Sequence, residues 1–300
     1  MSKNFEGLKG DGGNIVPSRN FGLTVDTAHI EELGFISKEQ KPYLTPMMVW
    51  RLTKGGLEKK DLAILDVMVS NNWDRPIYFN PTSLSQINMD LSQYAIQEGM
   101  TSRLIPAKNP YPEKDYVNTE VAYENMLHKF GYRGLDNPKV YYNEDYRGFV
   151  QNHRSALNSL AQALIEESEA ESARSIEVIT KEGQVVDKKA RAKETLDFSV
   201  AKMPDKAVPY DLTMTTTVEL YFRLGERDKA LGIAKILVDR AEEMINYLIG
   251  KNSGVTLELR KNMFIIGDLQ RIMLENGEQE LADQYEQMYQ KHITDLGQGQ

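Results

Sequence analysis

The feature that most constrains this fold is a helix-period pattern running through the second half of the chain. Residues 150–167 put Leu157, Leu160, Leu164 and Ile165 on one face. Residues 210–223 carry Met214, Val218, Tyr221 and Phe222, and residues 227–248 carry Ala230, Ile233, Leu237, Ala241, Met244 and Leu248. Residues 256–275 (Leu259, Ile266, Leu269, Met273) and 278–294 (Leu281, Tyr285, Met288, Ile293) continue the pattern. Apolar side chains three and four residues apart form a stripe along one side of a helix. Gly225 and Gly277 mark short turns, and short connections force antiparallel neighbours. Gly225-Glu226 is followed by Ala230, Gly277-Glu278 by Ala282, and Ser168-Glu169 by Ala173. Leu164, Tyr221 and Met273 each stand four residues before these turns. A closed first helix and a small residue where the second approaches suit a tetratricopeptide-like (TPR-like) hairpin, although these turns are spaced wider than the TPR period of about 34 residues. A further helix is expected over 187–201, with Val178-Ile179 and Val185-Val186 around Gly183 forming either a β-hairpin or a loop.

The first half reads as a smaller mixed unit. Residues 1–20, rich in glycine, are expected to be a flexible lead-in. Met47–Leu52 predicts a strand and 57–71 a helix with Leu57, Leu62, Ile64, Leu65, Met68 and Val69 as its apolar stripe. A strand at Pro76–Phe79, a turn at Asn80–Ser83, a helix over 90–99 and an extended Leu104–Pro106 follow. Gly99 is its expected stop, with Asp90 or Ser92 as cap. Another helix, 119–130, is capped by Thr119. The fold class is α+β: a small mixed α/β N-terminal unit, then an all-α TPR-like antiparallel helical-hairpin stack. The expected divisions are a lead-in at 1–20, a mixed domain at 21–118, a connecting helix and tyrosine-rich loop at 119–148, and helical repeats at 149–300.

Composition narrows the function classes. A net charge of -8 disfavours a phosphate-backbone grip, so no nucleic-acid partner is expected. The basic cluster 188–193 and the acidic run Glu166, Glu167, Glu169 and Glu171 read as solvated helix faces. The absence of cysteine excludes disulfides and thiolate chemistry, and the four histidines stand far apart in sequence. No apolar run is long enough to span a bilayer. No residue is assigned as catalytic or metal-ligating, and no cofactor motif is read.

The densest local information lies in 71–79. Trp73, with Asp74 and Arg75, sits at a helix-to-strand junction, where it either stacks on a ligand or anchors the turn. Glu98 and Arg103 are the expected charged neighbours. Tyr141 and Tyr142, with Tyr146 nearby, either line a groove or cap the helix stack with wet hydroxyls, and His153 either lines that groove or sits at the surface. The candidate ligand-binding set is Trp73, Asp74, Arg75, Glu98, Arg103, Tyr141, Tyr142 and His153.

The stretch 61–79, DLAILDVMVSNNWDRPIYF, resembles a segment of large Bacteroidetes membrane proteins related to protein O-mannosyltransferases of the transmembrane-protein-260 type. Tyr94–Gly99, Arg103–Pro106 and Asn125–Phe130 extend the resemblance, which runs from about residue 15 to the end. It implies an extracytoplasmic tail, on the periplasmic side of the inner membrane. It also implies a membrane region of GT-C glycosyltransferase kind preceding this chain and holding the catalytic residues. The 170–190 segment departs from the relatives as an insertion. The expected function is non-catalytic: binding or positioning an acceptor protein or glycan, with the membrane reached through that N-terminal region. The alternatives are a domain that caps a glycosyltransferase active site, and a free hydrolase with a site assembled from distant residues.

Overall fold

A computed structural model describes residues 19–38, 40–53, 56–174, 186–251 and 254–298. The chain divides into two compact units, Met1–Asn118 and Thr119–Gln300. A mixed β/α segment precedes an all-α helical stack, and among the described residues no sheet closes on itself. The glycine-rich lead-in and the expected hairpin or loop around Gly183 fall largely outside the described residues.

In the N-terminal unit β1 (Asn20–Thr24) and α1 (Thr27–Leu33) come first, and neither is legible as a periodic pattern. The Asp26 carboxylate caps α1 by accepting from the amides of Ala28 and His29. The next strand, β2 (Met47–Arg51), pairs antiparallel with β1, and its alternation buries Met48 and Trp50. Helix α2 (Lys59–Asn71) buries Met68 and half-buries Ile64 and Leu65, whereas Leu62 and Val69 stand exposed. The expected stripe was therefore too wide. Strand β3 (Ile77–Phe79) follows, and then Asn80 caps a short helix, α3 (Pro81–Gln86), where a plain turn was expected. The helix expected over 90–99 is a 3-10 turn (Ser92–Tyr94) leading into β4 (Ala95–Gln97). Tyr94, Ala95 and Ile96 are all buried in succession, which suits a short covered strand better than a one-sided helix. Strand β5 (Ser102–Leu104) lies between β3 and β4, antiparallel to both.

Asp61 is a buried charge in this unit, and its oxygens are satisfied by donors. Its carboxylate accepts from the Glu58 amide at 2.8 Å, the Asn88 amide at 3.0 Å and Asn88 Nδ2 at 3.0 Å. Asn88 Nδ2 also reaches the Gly56 carbonyl. This clamp ties the start of α2 to the segment entering β4.

The C-terminal unit begins with α4 (Thr119–Tyr123), which widens into a π-helical turn at Glu124–Lys129. Thr119 does not cap it: its hydroxyl donates to Glu167. Helix α5 (Glu144–Arg174) runs straight through Ser168-Glu169, so the third expected turn does not exist. Its glycine position is a serine, and no left-handed stop interrupts the helix. Then come α6 (Lys188–Lys202), α7 (Thr213–Arg223), α8 (Arg227–Gly250), α9 (Leu257–Glu275) and α10 (Gln279–Gln298).

The two glycine turns are built alike. Gly225 (φ 79) and Gly277 (φ 78) occupy the left-handed region that favours glycine. The Glu226 amide donates to the Tyr221 carbonyl and the Glu278 amide to the Met273 carbonyl, the long bond of a Schellman motif. Ala230 and Ala282 are buried just beyond, where a larger side chain would hold the helices apart. Glu226 pairs with Lys193 and Glu278 with Arg227. The basic cluster is thus more than a solvated face: Lys188 meets Glu167 and Arg191 meets Glu120. The acidic run is likewise tied in, since Arg223 binds Glu169. Among the described residues the exposed face of α10 is mostly polar, with Ile293 standing out in it. Its buried face ends on His292, not on Ile293 as the stripe suggested.

Candidate functional site

The junction after α2 is a backbone device. Asn72 (φ 43) and Trp73 (φ 66) both take left-handed conformations, rare for a tryptophan. Asn71 Nδ2 donates to the Arg75 carbonyl at 2.6 Å, and the Asp74 amide donates to the Asn71 carbonyl. These bonds hold the reversal that turns Trp73 inward. Its residue is 8% exposed and belongs to the core with Met68, Phe79 and Leu104. Trp73 therefore anchors the turn, and the ligand-stacking reading is corrected. Asp74 faces outward and meets His29 Nε2 at 3.1 Å. Arg75 is exposed, with its guanidinium in no ion pair among the described residues.

Glu98 and Arg103 do come together, through a residue the sequence did not flag. Tyr78 and Arg103 are cross-strand partners on β3 and β5, so their side chains share a face. The Tyr78 hydroxyl donates to Glu98 Oε2 at 2.6 Å, and Asn118 Nδ2 approaches Glu98 Oε1 at 3.4 Å. The Arg103 guanidinium lies over the Phe35 ring, 4.5 Å from its centroid. Burial, reinforced by the Glu98 hydrogen bond and charge, pushes the Tyr78 hydroxyl up to about 12, against the lowering pull of Arg103. Tyr78 therefore keeps its proton and donates to Glu98, with Arg103 beside it on one partly open sheet face. Such a face can hold a polar ligand, but it contains no nucleophile beside a base. The alternation Ile77 in, Tyr78 out, Phe79 in is the sequence signal that could have placed Tyr78 there.

The aromatic residues of the C-terminal unit divide by role. Tyr132 is buried, edge-on to His153 (5.8 Å) and to Phe198 (5.1 Å), and burial pushes its hydroxyl up to about 12. Tyr142 donates to the Gly134 carbonyl at 2.8 Å. His153 Nδ1 bonds the Phe149 carbonyl at 2.7 Å. Those three side chains build the entrance to α5. Tyr141, Tyr146 and Phe149 remain outside, 83%, 61% and 62% exposed, with the Tyr146 and Phe149 rings 6.3 Å apart. Phe149 was missed because it lies just off the buried stripe that begins at Val150.

Arg154, next to His153, belongs to the scaffold rather than to a groove. It is fully buried, donates to the carbonyls of Met203, Val208 and Pro209 and to Asp211 Oδ2 (2.7 Å), and lies over the Tyr210 ring. A bidentate Arg240–Asp205 pair secures the same connection from α8. Burial alone would raise the Asp205 carboxyl, but Arg240 and the Tyr210 amide hold it below its ordinary value.

Among the described residues no group of three His, Asp or Glu side chains is placed to hold a metal ion, and no helix is long and apolar enough to cross a membrane. The described histidine hydrogen bonds go to Asp74 and to the Phe149 carbonyl, none to a hydroxyl. No curated protein and no solved structure matches the chain. Residues 2–121 match the model of TMEM260-associated domain 2, which links the chain through its N-terminal part to the TMEM260-like family.

Proposed function

We propose that this chain is a non-catalytic accessory module of a TMEM260-like membrane protein. It acts on the extracytoplasmic side, where it binds and positions an acceptor protein or glycan for glycosyl transfer. The observation that carries the reading is the exposed ring pair of Tyr146 and Phe149, with exposed Tyr141 shortly before them in the chain. Large rings are normally buried, and rings held open at the end of a packed helix offer flat apolar faces to sugar C–H groups or to peptide side chains. Tyr132, Tyr142 and His153 fix that segment from beneath, so the rings are pre-positioned rather than trailing. The family match and the helix stack support the accessory role, with the stack in the manner of TPR-like binding scaffolds.

A glycan and peptide binding screen with the whole chain tests this. Replacing Tyr146 and Phe149 together by alanine is expected to weaken any ligand found by at least about tenfold. Unchanged binding by that variant would reject the aromatic surface. A second reading, in which the N-terminal unit caps a glycosyltransferase active site, is favoured by the shared face of Tyr78, Glu98 and Arg103. In that case Arg103→Gln, rather than the aromatic variant, would abolish ligand binding.

A further inference from the structure

The last helix, α10, is fastened unevenly along its length. Its start is tied down by the Gly277 turn, by the pair of Glu278 with Arg227, and by Ala282 and Tyr285, which are both buried. Tyr289 then lies close to Gly267 of α9, where a Cβ would stand 3.6 Å from its ring. From 286 to 296 a single side chain is buried, and it is His292. Ile293 and Thr294 beside it are exposed, while Asp295 and Leu296 are half-buried. Since α10 packs on α9 and also touches α8, the imidazole plugs the far end of this three-helix seam.

His292 is fully buried, and neither ring nitrogen has a hydrogen-bond partner among the described residues. A neutral imidazole carries one N–H, whereas an imidazolium carries two and a full charge. In this position that charge would be buried without a partner, which proteins avoid. The charges acting on the ring come from two helices. Glu242 on α8 and Asp295 on α10 favour the proton, Lys291 on α10 opposes it, and α9 adds no charge that acts on it. Asp239 of α8 acts instead on Tyr285, two turns nearer the start of α10. Neither Glu242 nor Asp295 hydrogen-bonds the ring, so neither satisfies an imidazolium where the ring stands. Burial is the largest influence and holds the imidazole below the ordinary histidine range. A protonated ring is better placed in water. To reach it, only the last turns of a terminal helix need to lift, and helix ends open at far lower cost than a whole unit.

We propose that the end of α10, residues 287–298, is an acid-released latch. It stays docked while His292 is neutral, and it lifts from α8 and α9 when the ring takes up a proton, opening that end of the seam. The lifted form binds the proton more tightly than the docked form. Docking is therefore complete above the pKa of the exposed ring, and it is lost as pH falls from there through the lower pKa of the docked one. The latch does not depend on the aromatic surface of α5.

The test is hydrogen exchange of the whole chain, read by mass spectrometry between about pH 7.5 and about pH 5, with each rate corrected for intrinsic exchange at that pH. Opening of 287–298 is expected to rise by about threefold or more on acidification, while 279–286 and α7 keep their protection. His292→Leu, which cannot take up the proton, should abolish the rise. Two further variants keep the test decisive should that one fold poorly. Glu242→Gln removes a charge that favours the proton and should move the midpoint to lower pH. Lys291→Gln removes one that opposes it and should move the midpoint to higher pH. An undiminished rise in His292→Leu, or midpoints unmoved in both charge variants, would overturn the proposal. So would protection lost equally from α7 to α10, the pattern of ordinary acid unfolding.

Discussion

Both units bury one charged side chain to organise an irregular connection, but they choose opposite signs. In the N-terminal unit Asp61 gathers N–H groups: the amide at the N-cap of α2, the Asn88 amide and the Asn88 side chain. In the C-terminal unit Arg154 gathers C=O groups: Met203 at the end of α6, then Val208 and Pro209. A helix start leaves orphan donors and a helix end leaves orphan acceptors. The sign of the buried charge follows from which end the connection must satisfy. The difference extends to the surface. Arginines of the helical unit are largely spent on ion pairs between helices, whereas Arg19, Arg51 and Arg75 of the mixed unit are not. The helical unit ties Arg154, Arg191, Arg223, Arg227, Arg240 and Arg271 to carboxylates and leaves aromatic rings open. The mixed unit builds with a carboxylate and leaves guanidiniums open.

The sharpest way to break this comparison is to delete each organiser. Arg154→Met should destabilise the C-terminal unit by about 3–5 kcal/mol, because Asp211 and three carbonyls lose a buried partner. That predicts a fall in Tm on the order of 10 °C, with faster hydrogen exchange in 203–213 and none added in 47–71. Exchange rising equally in both segments would deny that the two organisers act locally. Asp61→Ala should cost less, about 3 kcal/mol, since the stranded groups are neutral amides. Its exchange signature should be the mirror image, confined to the N-terminal unit.

A third, smaller effect concerns His292, buried on α10 with neither ring nitrogen hydrogen-bonded among the described residues. Burial holds its folded pKa below the ordinary histidine value. Glu242 on α8 and Asp295 pull it up, and Lys291 pushes it down. The unfolded chain therefore takes up the proton first. The stability it contributes is complete above the unfolded pKa and is lost as pH falls from there through the folded one. His292→Leu should flatten the decline of stability between pH 7 and 5 in the helical unit, read by chemical denaturation at each pH. An unchanged slope would remove His292 from the account. The smallest effect belongs to Tyr141→Ser. With the ring almost wholly in solvent, stability should change by no more than about 0.5 kcal/mol.

Much of this was legible in the sequence, for identifiable reasons. Helices α7 to α9 carry long one-sided stripes, and the Gly225 and Gly277 turns need glycine for a left-handed backbone, so both features announce themselves. The Ser168 turn failed because a local resemblance without the glycine cannot stop a helix. Strand β4 was read as helix because three consecutive buried residues have no period. Arg154 was hidden because its partners lie 49 to 57 residues away. The junction at 71–75 was recognised as dense in information, yet its two readings could not be separated from sequence. The fold separates them, with Trp73 buried in the core and Asp74 exposed. Glu98 and Arg103 were expected as charged neighbours of the 71–75 junction; both stand beside Tyr78, which emerged only from the strand register.

The central claim is that rings on the α5 surface bind, while the ring at the α2–β3 junction holds the fold. It is tested most directly by measuring affinity and Tm side by side for Phe149→Ala and Trp73→Ala, using the tightest glycan or peptide from the binding screen. Phe149→Ala should lose at least about tenfold in affinity at an unchanged Tm. Trp73→Ala should lose about 3–5 kcal/mol of stability and keep its affinity at temperatures where it remains folded. Full affinity in Phe149→Ala, together with lost affinity in a Trp73→Ala protein of unaltered Tm, would contradict the account.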